Sequence, residues 1–234
     1  PGTVGIGHTR WATHGEPSDV NAHPHFNADR TIAVVHNGII ENYLKLKNTL
    51  IERGYKFLSE TDTEVVAHLL DYYYKKCKNP LEAITKVMHR VEGSYALGIL
   101  FSDEPDVVYS VRKDSPLIVG KGKDGNLIAS DVPAVLKYTR EVYFIENEEI
   151  ARLSEDTIEF FNVDGETIEK EPKMIEWDIN AAEKGGYEHF MLKEMYEQPK
   201  TVRDTLNPRI KDGRIVIDEL GMTDEEIRAI KKIH

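Results

Sequence analysis

Gly7-His8-Thr9-Arg10-Trp11-Ala12-Thr13-His14-Gly15, taken with His36-Asn37-Gly38 downstream, is the stretch on which the reading of this chain turns. Each part follows a short apolar run: Thr3-Val4-Gly5-Ile6 before the first, Thr31-Ile32-Ala33-Val34-Val35 before the second. Both runs read as strands, and a rigid strand that delivers polar groups to its exit loop is a common way to build a site. Arg10 offers a planar fork suited to a carboxylate. Asn37 followed by glycine offers a side-chain amide beside an unhindered backbone N–H, the parts of an oxyanion hole. Read alone, Asn-Gly is first of all a hairpin-turn signal, but the helix-forming Ile39-Ile40-Glu41-Asn42 after it weighs against that.

Outward from this stretch, residues 14 to 30 read as a loop, because Pro17 and Pro24 exclude a regular helix. Residues 41 to 53 have helical periodicity, with Tyr43, Leu46, Leu50 and Ile51 towards one face and Gly54 as a stop. Ser59-Glu60-Thr61-Asp62-Thr63-Glu64 opens a second helix that ends in Lys75-Lys76-Cys77-Lys78, and Pro80 starts a third. From Ser94 the pattern changes to strands. Residues 94–101 and 106–111 form a predicted hairpin, followed by strands at 117–119, 127–129, 142–145, 149–153 and 157–161. A short helix is predicted over Pro133 to Tyr138, and Asn162-Val163-Asp164-Gly165 turns the chain into Thr167-Ile168-Glu169. Two strands, three helices and then a run of strands give an α+β class with helices on antiparallel sheet.

Residues 178 to 186 read as a linker. Beyond it the composition shifts to a helical region from His189 to Leu206, broken at Pro199, then a short strand at Arg214–Ile217 and a helix capped by Thr223-Asp224-Glu225-Glu226.

A length of 234 residues allows one large domain or two small ones. The formal net charge of −11 argues against a nucleic-acid or anionic-membrane surface, and no apolar run reaches the 18 residues of a membrane span. One cysteine in the whole chain fits a reducing compartment and a cytoplasmic location. Cys77 sits in a lysine-rich helix end with no activating histidine near it in sequence, and reads as structural. His23-x-His25 has metal-ligand spacing, but a second ligand pair is not evident nearby, so these histidines read as hydrogen-bonding loop residues and no metal or cofactor is expected.

The segments HTRWATHG, NAHPH, HNGIIENY and SETDTE, in this order, resemble the glutaminase domain of class II glutamine amidotransferases, most closely the glucosamine-6-phosphate synthase branch. The resemblance runs over nearly the whole chain. It implies the four-layer αββα sandwich of N-terminal-nucleophile hydrolases, and it implies a role for each matched residue. Arg10 pairs the α-carboxylate of L-glutamine, with Thr13 and His14 adding hydrogen bonds. Trp11 shields the site from water, and Asp62 takes the α-ammonium. Asn37 and Gly38 stabilise the oxyanion formed when the side-chain amide is attacked. The ordinary alternatives are a surface salt bridge for Arg10, a packed loop aromatic for Trp11, loop-stabilising roles for Thr13 and His14, and a helix-dipole acid for Asp62.

The family's nucleophile is a cysteine at the mature N-terminus, whereas this chain begins at Pro1 without an initiating Met. The expectation is therefore a piece cut at both ends. Residues 1–177 would be an N-terminally incomplete glutaminase domain. Residues 187–234, with Lys193-Glu194-Met195-Tyr196-Glu197-Gln198-Pro199, would be the helical lead-in to a sugar-phosphate isomerase domain. Ile233-His234 would fall close to that domain's first strand. Full-length relatives of this kind use fructose 6-phosphate and are expected as homodimers. Another class II amidotransferase, or a non-catalytic amino-acid-binding module, remains open.

Overall fold

The computed structural model describes residues 3–10, 14–176, 185–211, 213–217 and 220–232. The chain divides into two compact units, Pro1–Trp177 and Asp178–His234. The expected linker over 178–186 lies mostly outside the described residues, as do Ile233 and His234.

In the first unit, seven antiparallel strands form one sheet and four form another. The larger sheet begins with β1 (His25–Phe26), β2 (Ile32–Ile40), β3 (Gly93–Phe101) and β4 (Val108–Lys113), and continues through β8 (Glu149–Leu153), β9 (Ile158–Phe161) and β10 (Thr167–Ile168). The smaller sheet runs in the order β11 (Lys173–Met174), β7 (Glu141–Phe144), β5 (Ile118–Gly120), β6 (Leu127–Ala129). Three helices, α1 (Tyr43–Glu52), α2 (Thr63–Cys77) and α3 (Pro80–Met88), lie between β2 and β3 in the chain.

The period-two alternation of β3 sorts these parts into layers. Tyr95, Leu97, Ile99 and Phe101 join Leu46, Leu50, Val66, Leu70, Ile84 and Val87 of the helices in one buried cluster. Ala96, on the opposite face, joins Leu117, Val119, Ile145, Ala151 and Phe160 in a second cluster between the two sheets. Gly98 shares that face, and a Cβ there would come within 2.9 Å of Val35 Cγ2 and 3.1 Å of Ile128 Cδ1. Only a residue without a side chain lets the smaller sheet approach this closely. Gly120, one residue past the inward Val119, faces away from that cluster and is covered by Val135 and Thr139.

Several local expectations are corrected. Thr3–Ile6 is not a strand, and the loop over 14–30 contains the two-residue β1. Ile39 and Ile40 stay in β2 because that strand pairs with β3 as far as Ile40↔Gly93, so the helix starts only at Tyr43. Ile51 is 50% exposed, since Leu46 and Leu50 alone define the buried stripe of α1. The helix over 133–138 contracts to a 3₁₀ turn at Val132–Ala134, where Asp131 caps the Val132 N–H.

The second unit holds α4 (Phe190–Leu206), a hairpin of β12 (Ile210–Lys211) and β13 (Arg214–Ile215), and α5 (Asp224–Ala229) with the Thr223–Glu226 capping box. The strand expected to reach Ile217 stops at Ile215. The break expected at Pro199 does not occur. Proline removes one ladder hydrogen bond, and the 17-residue helix carries that loss. No helix among the described residues is long and apolar enough to cross a membrane.

Candidate active site

At the end of the larger sheet, next to the start of α2, a cavity of about 680 Å³ opens. Arg10, His14, Asn37, Gly38 and Asp62 all line it, joined by His36 and Thr63. Trp11 and Thr13, also expected at the site, lie outside the described residues.

Asn37 and Gly38 stand inside β2, opposite Ala96 and Tyr95 of β3, and do not form a turn. The Asn37 amide has no hydrogen-bond partner among the described residues. Gly38 has φ +133°, and a Cβ there would sit 2.1 Å from the Ser94 carbonyl oxygen. The Asn-Gly pair is thus fixed by a backbone approach that no other residue allows.

Arg10 has φ +54° and donates its backbone N–H to His8 Nδ1 at 2.9 Å. Its guanidinium turns back onto its own loop, donating to the carbonyls of His14 (2.8 Å), Gly15 (3.0 Å) and Glu16 (3.2 Å). These contacts occupy at most three of the five N–H groups of the fork. The rest remain for a ligand, and the loop carbonyls hold the cation in place. The His14 ring packs edge-on against Tyr43, 5.0 Å between centroids.

Asp62 occupies the N-cap position of α2, yet its side chain caps nothing in its own helix. Instead Oδ2 accepts the Ile40 N–H at 2.7 Å and so ties the start of α2 to the end of β2. The other oxygen has no hydrogen-bond partner among the described residues. Two positions on, Glu64 is fully engaged. It accepts the Leu58 N–H (2.8 Å), the Ser59 N–H (2.7 Å) and the Ser59 hydroxyl (2.6 Å). Burial opposes ionisation of Glu64, but His68, the Ser59 hydroxyl and the two backbone donors outweigh it and hold the pKa at about 2.

Four histidines gather at the cavity, and His8, His23 and His36 among them line it. His23 and His36 share one hydroxyl: Thr63 Oγ1 is 3.3 Å from His23 Nε2 and 3.0 Å from His36 Nδ1. His25 Nε2 lies 3.0 Å from Thr61 Oγ1, which continues through Ser59 to Glu64. The His8 ring packs tilted against His23, 4.6 Å between centroids. Burial pushes the pKa of His23 down to about 3, helped by the neighbouring His25, His8 and His36 and by Arg10. Burial likewise takes His36 down to about 4, against the upward pull of Asp62. These rings are neutral at physiological pH.

Sequence reasoning did not single out His36, Thr61, Thr63 or Glu64 for individual roles. The signal was present in the SETDTE run, whose alternating hydroxyls and acids are more polar than a helix start needs. Cys77 ends α2 with Sγ 3.3 Å from the Asn79 carbonyl and does not line the cavity.

The sequence family described as glutamine amidotransferase domain matches residues 8–137. A glutamine–fructose-6-phosphate aminotransferase (isomerizing) of Clostridium acetobutylicum is 61% identical over all of this chain. The protein of that name from Caldanaerobacter subterraneus is 59% identical over 99% of it, and that from Pyrococcus horikoshii 48% over 97%. In each case the chain spans 38% of the relative's length. Among solved structures, the glutamine phosphoribosylpyrophosphate amidotransferase of Bacillus subtilis superposes with a TM-score of 0.54 at 24% identity. It covers 67% of this chain and 34% of its own, a likeness of fold.

Proposed function

The chain belongs to the glutamine amidotransferase domain family, and from that premise we propose that its cavity binds free L-glutamine for amide hydrolysis. The observation that carries this reading is a single cavity holding an anchored guanidinium, a half-occupied carboxylate and a side-chain amide without a partner among the described residues. Arg10 takes the α-carboxylate and Asp62 the α-ammonium, so the two ends of the amino acid orient it. His14 sits beside the carboxylate end; hydrogen bonding by Thr13 and shielding by Trp11 belong to the same reading and lie outside the described residues. The γ-amide then lies towards Asn37 and Gly38, whose amide and backbone N–H stabilise the tetrahedral oxyanion. One such donor is worth about 3–4 kcal/mol in acyl-transfer enzymes.

The covalent step needs a thiolate that attacks the amide carbon, releases ammonia and leaves a glutamyl thioester for water to cleave. The only cysteine here, Cys77, does not line the cavity. The reading therefore gives these residues substrate binding and oxyanion stabilisation, and not the attacking thiolate. The full protein is a cytoplasmic, homodimeric glutamine–fructose-6-phosphate aminotransferase that uses the ammonia to make glucosamine 6-phosphate.

Calorimetric titration of the chain with L-glutamine and two truncated analogues tests this. Glutaramate lacks the α-ammonium and 4-aminobutanamide lacks the α-carboxylate. Each loses a charge-assisted contact of about 1.5–3 kcal/mol, so each binds roughly ten- to a hundredfold more weakly. The chain alone releases no ammonia from glutamine. Equal affinity for all three compounds, or ammonia release by the isolated chain, contradicts the reading.

A further inference from the structure

We propose that His36 is a positioning residue of the glutamine site: Thr63 locks its ring in the neutral Nε2–H form, which leaves the Asp62 carboxylate to the ligand's ammonium. The proposal rests on the glutamine reading above, and it follows from counting protons around one hydroxyl.

The His36 backbone N–H donates to His23 Nδ1 at 3.4 Å, so that nitrogen carries no proton. A neutral His23 must then carry its proton on Nε2, which faces Thr63 Oγ1 and donates to it. The Thr63 hydroxyl meets no acceptor other than these two rings among the described residues, so with His23 donating to it, its one proton goes to His36 Nδ1, at 3.0 Å. His36 Nδ1 is thereby an acceptor, and its proton sits on Nε2. The opposite arrangement fails, because a proton on His23 Nδ1 would meet the His36 N–H donor to donor.

The consequence falls on Asp62. His36 Nδ1 lies 3.9 Å from Asp62 Oδ2, close enough for a protonated Nδ1 to compete with a ligand cation. As an acceptor it cannot. His36 is 4% exposed, and the Ser94 carbonyl of β3, which raises the proton affinity of the ring, is the backbone acceptor beside it. The groups facing the ring are Asp62 and Thr63 from α2, His8, His23 and His25 from the loop, and the Ser94 carbonyl from β3. Only Asp62 among them is an anion. Burial, which holds the His36 pKa to about 4, keeps the charged form away over the physiological range.

The test combines imidazole ¹⁵N NMR with glutamine affinity in the protein carrying this sequence. In the wild type, His36 shows the Nε2–H tautomer from pH 8 to pH 5, and the glutamine Kd is flat over that range. Thr63→Val frees Nδ1 to carry a proton towards Asp62. Nδ1–H signal appears, and Kd rises about tenfold at pH 7.5 and further by pH 5.5. Thr63→Ser restores both readouts, which a merely structural loss would not explain. An Nδ1–H or charged His36 in the wild type near pH 7 overturns the role of His36, and that measurement stands even if the valine variant does not fold. So does a tautomer switch in Thr63→Val with Kd changed less than twofold. A wild type that shows the Nε2–H tautomer but binds no glutamine overturns the glutamine reading itself, and the role of His36 with it.

Discussion

Asp62 and Glu64 stand two residues apart at the start of α2, and both are 4% exposed, yet they do different work. Glu64 is saturated: three donors from residues 58 and 59 converge on it, and it pins that loop to the helix. Asp62 lines the cavity and spends one oxygen on the Ile40 N–H, while the other has no hydrogen-bond partner among the described residues. A buried carboxylate with every lone pair engaged belongs to the fold. One left half-engaged at a cavity wall is a standing cost that a bound cation removes. On the proposed reading, neighbouring acids in one helix start divide between stability and recognition, and the hydrogen-bond count separates them where residue type does not.

The comparison can be broken at its hinge. Gly38→Ala pushes a Cβ against the Ser94 carbonyl and forces φ into a strained region, so β2 and β3 must separate where Ile40 meets Asp62. Overpacking and backbone strain together are expected to cost about 4 kcal/mol, read as a lowered urea midpoint. A midpoint within experimental error of wild type would show that β2 is not fixed by that approach. Glu64→Ala leaves two buried N–H groups without an acceptor and should cost about 3 kcal/mol in the same assay. Asp62→Asn, which retains an acceptor for Ile40, should cost about 1 kcal/mol or less. Equal losses at 62 and 64 would erase the distinction.

Acid sharpens it further. The buried histidines refuse protons that the unfolded chain accepts, so stability present at pH 7 is lost as pH falls from about 6.5 towards 3, where His23 titrates. Glu64 acts in a lower window. Its contribution is complete above its unfolded value of 4.5 and disappears as pH falls through about 2. Thermal melts against pH should therefore show two descending limbs, and Glu64→Gln should flatten only the lower one. A single limb beginning below pH 4.5 would show that the histidines do not resist protonation.

Much of this was legible in the chain itself. Period-two apolar runs placed β3, β4, β8 and β9, and the proline and basic-end signals placed α2 and α3. What escaped was whatever depends on contacts distant in sequence. The two-residue β1 exists because it pairs with β2, a register that local pattern does not reveal. Ile39 and Ile40 favour either state by composition, and the β3 partner decides for strand. At the site, Arg10 was legible as a cation and Asp62 as an acid. That one would anchor itself on carbonyls of its own loop, and the other would cap a neighbouring strand, follows only from the folded backbone.

The central claim is that residue 62, and not residue 64, meets the ligand. Melting temperature with and without L-glutamine at about a hundred times its Kd measures this for wild type, Asp62→Asn and Glu64→Gln. Binding at that concentration adds about 2.7 kcal/mol, or roughly 5–10 °C for a unit of this size. The wild type and Glu64→Gln, from their different starting points, should both rise by that amount, while Asp62→Asn, binding ten- to a hundredfold more weakly, gains at most about 1.4 kcal/mol and so rises by roughly half as much or less. A full rise in Asp62→Asn would contradict the account.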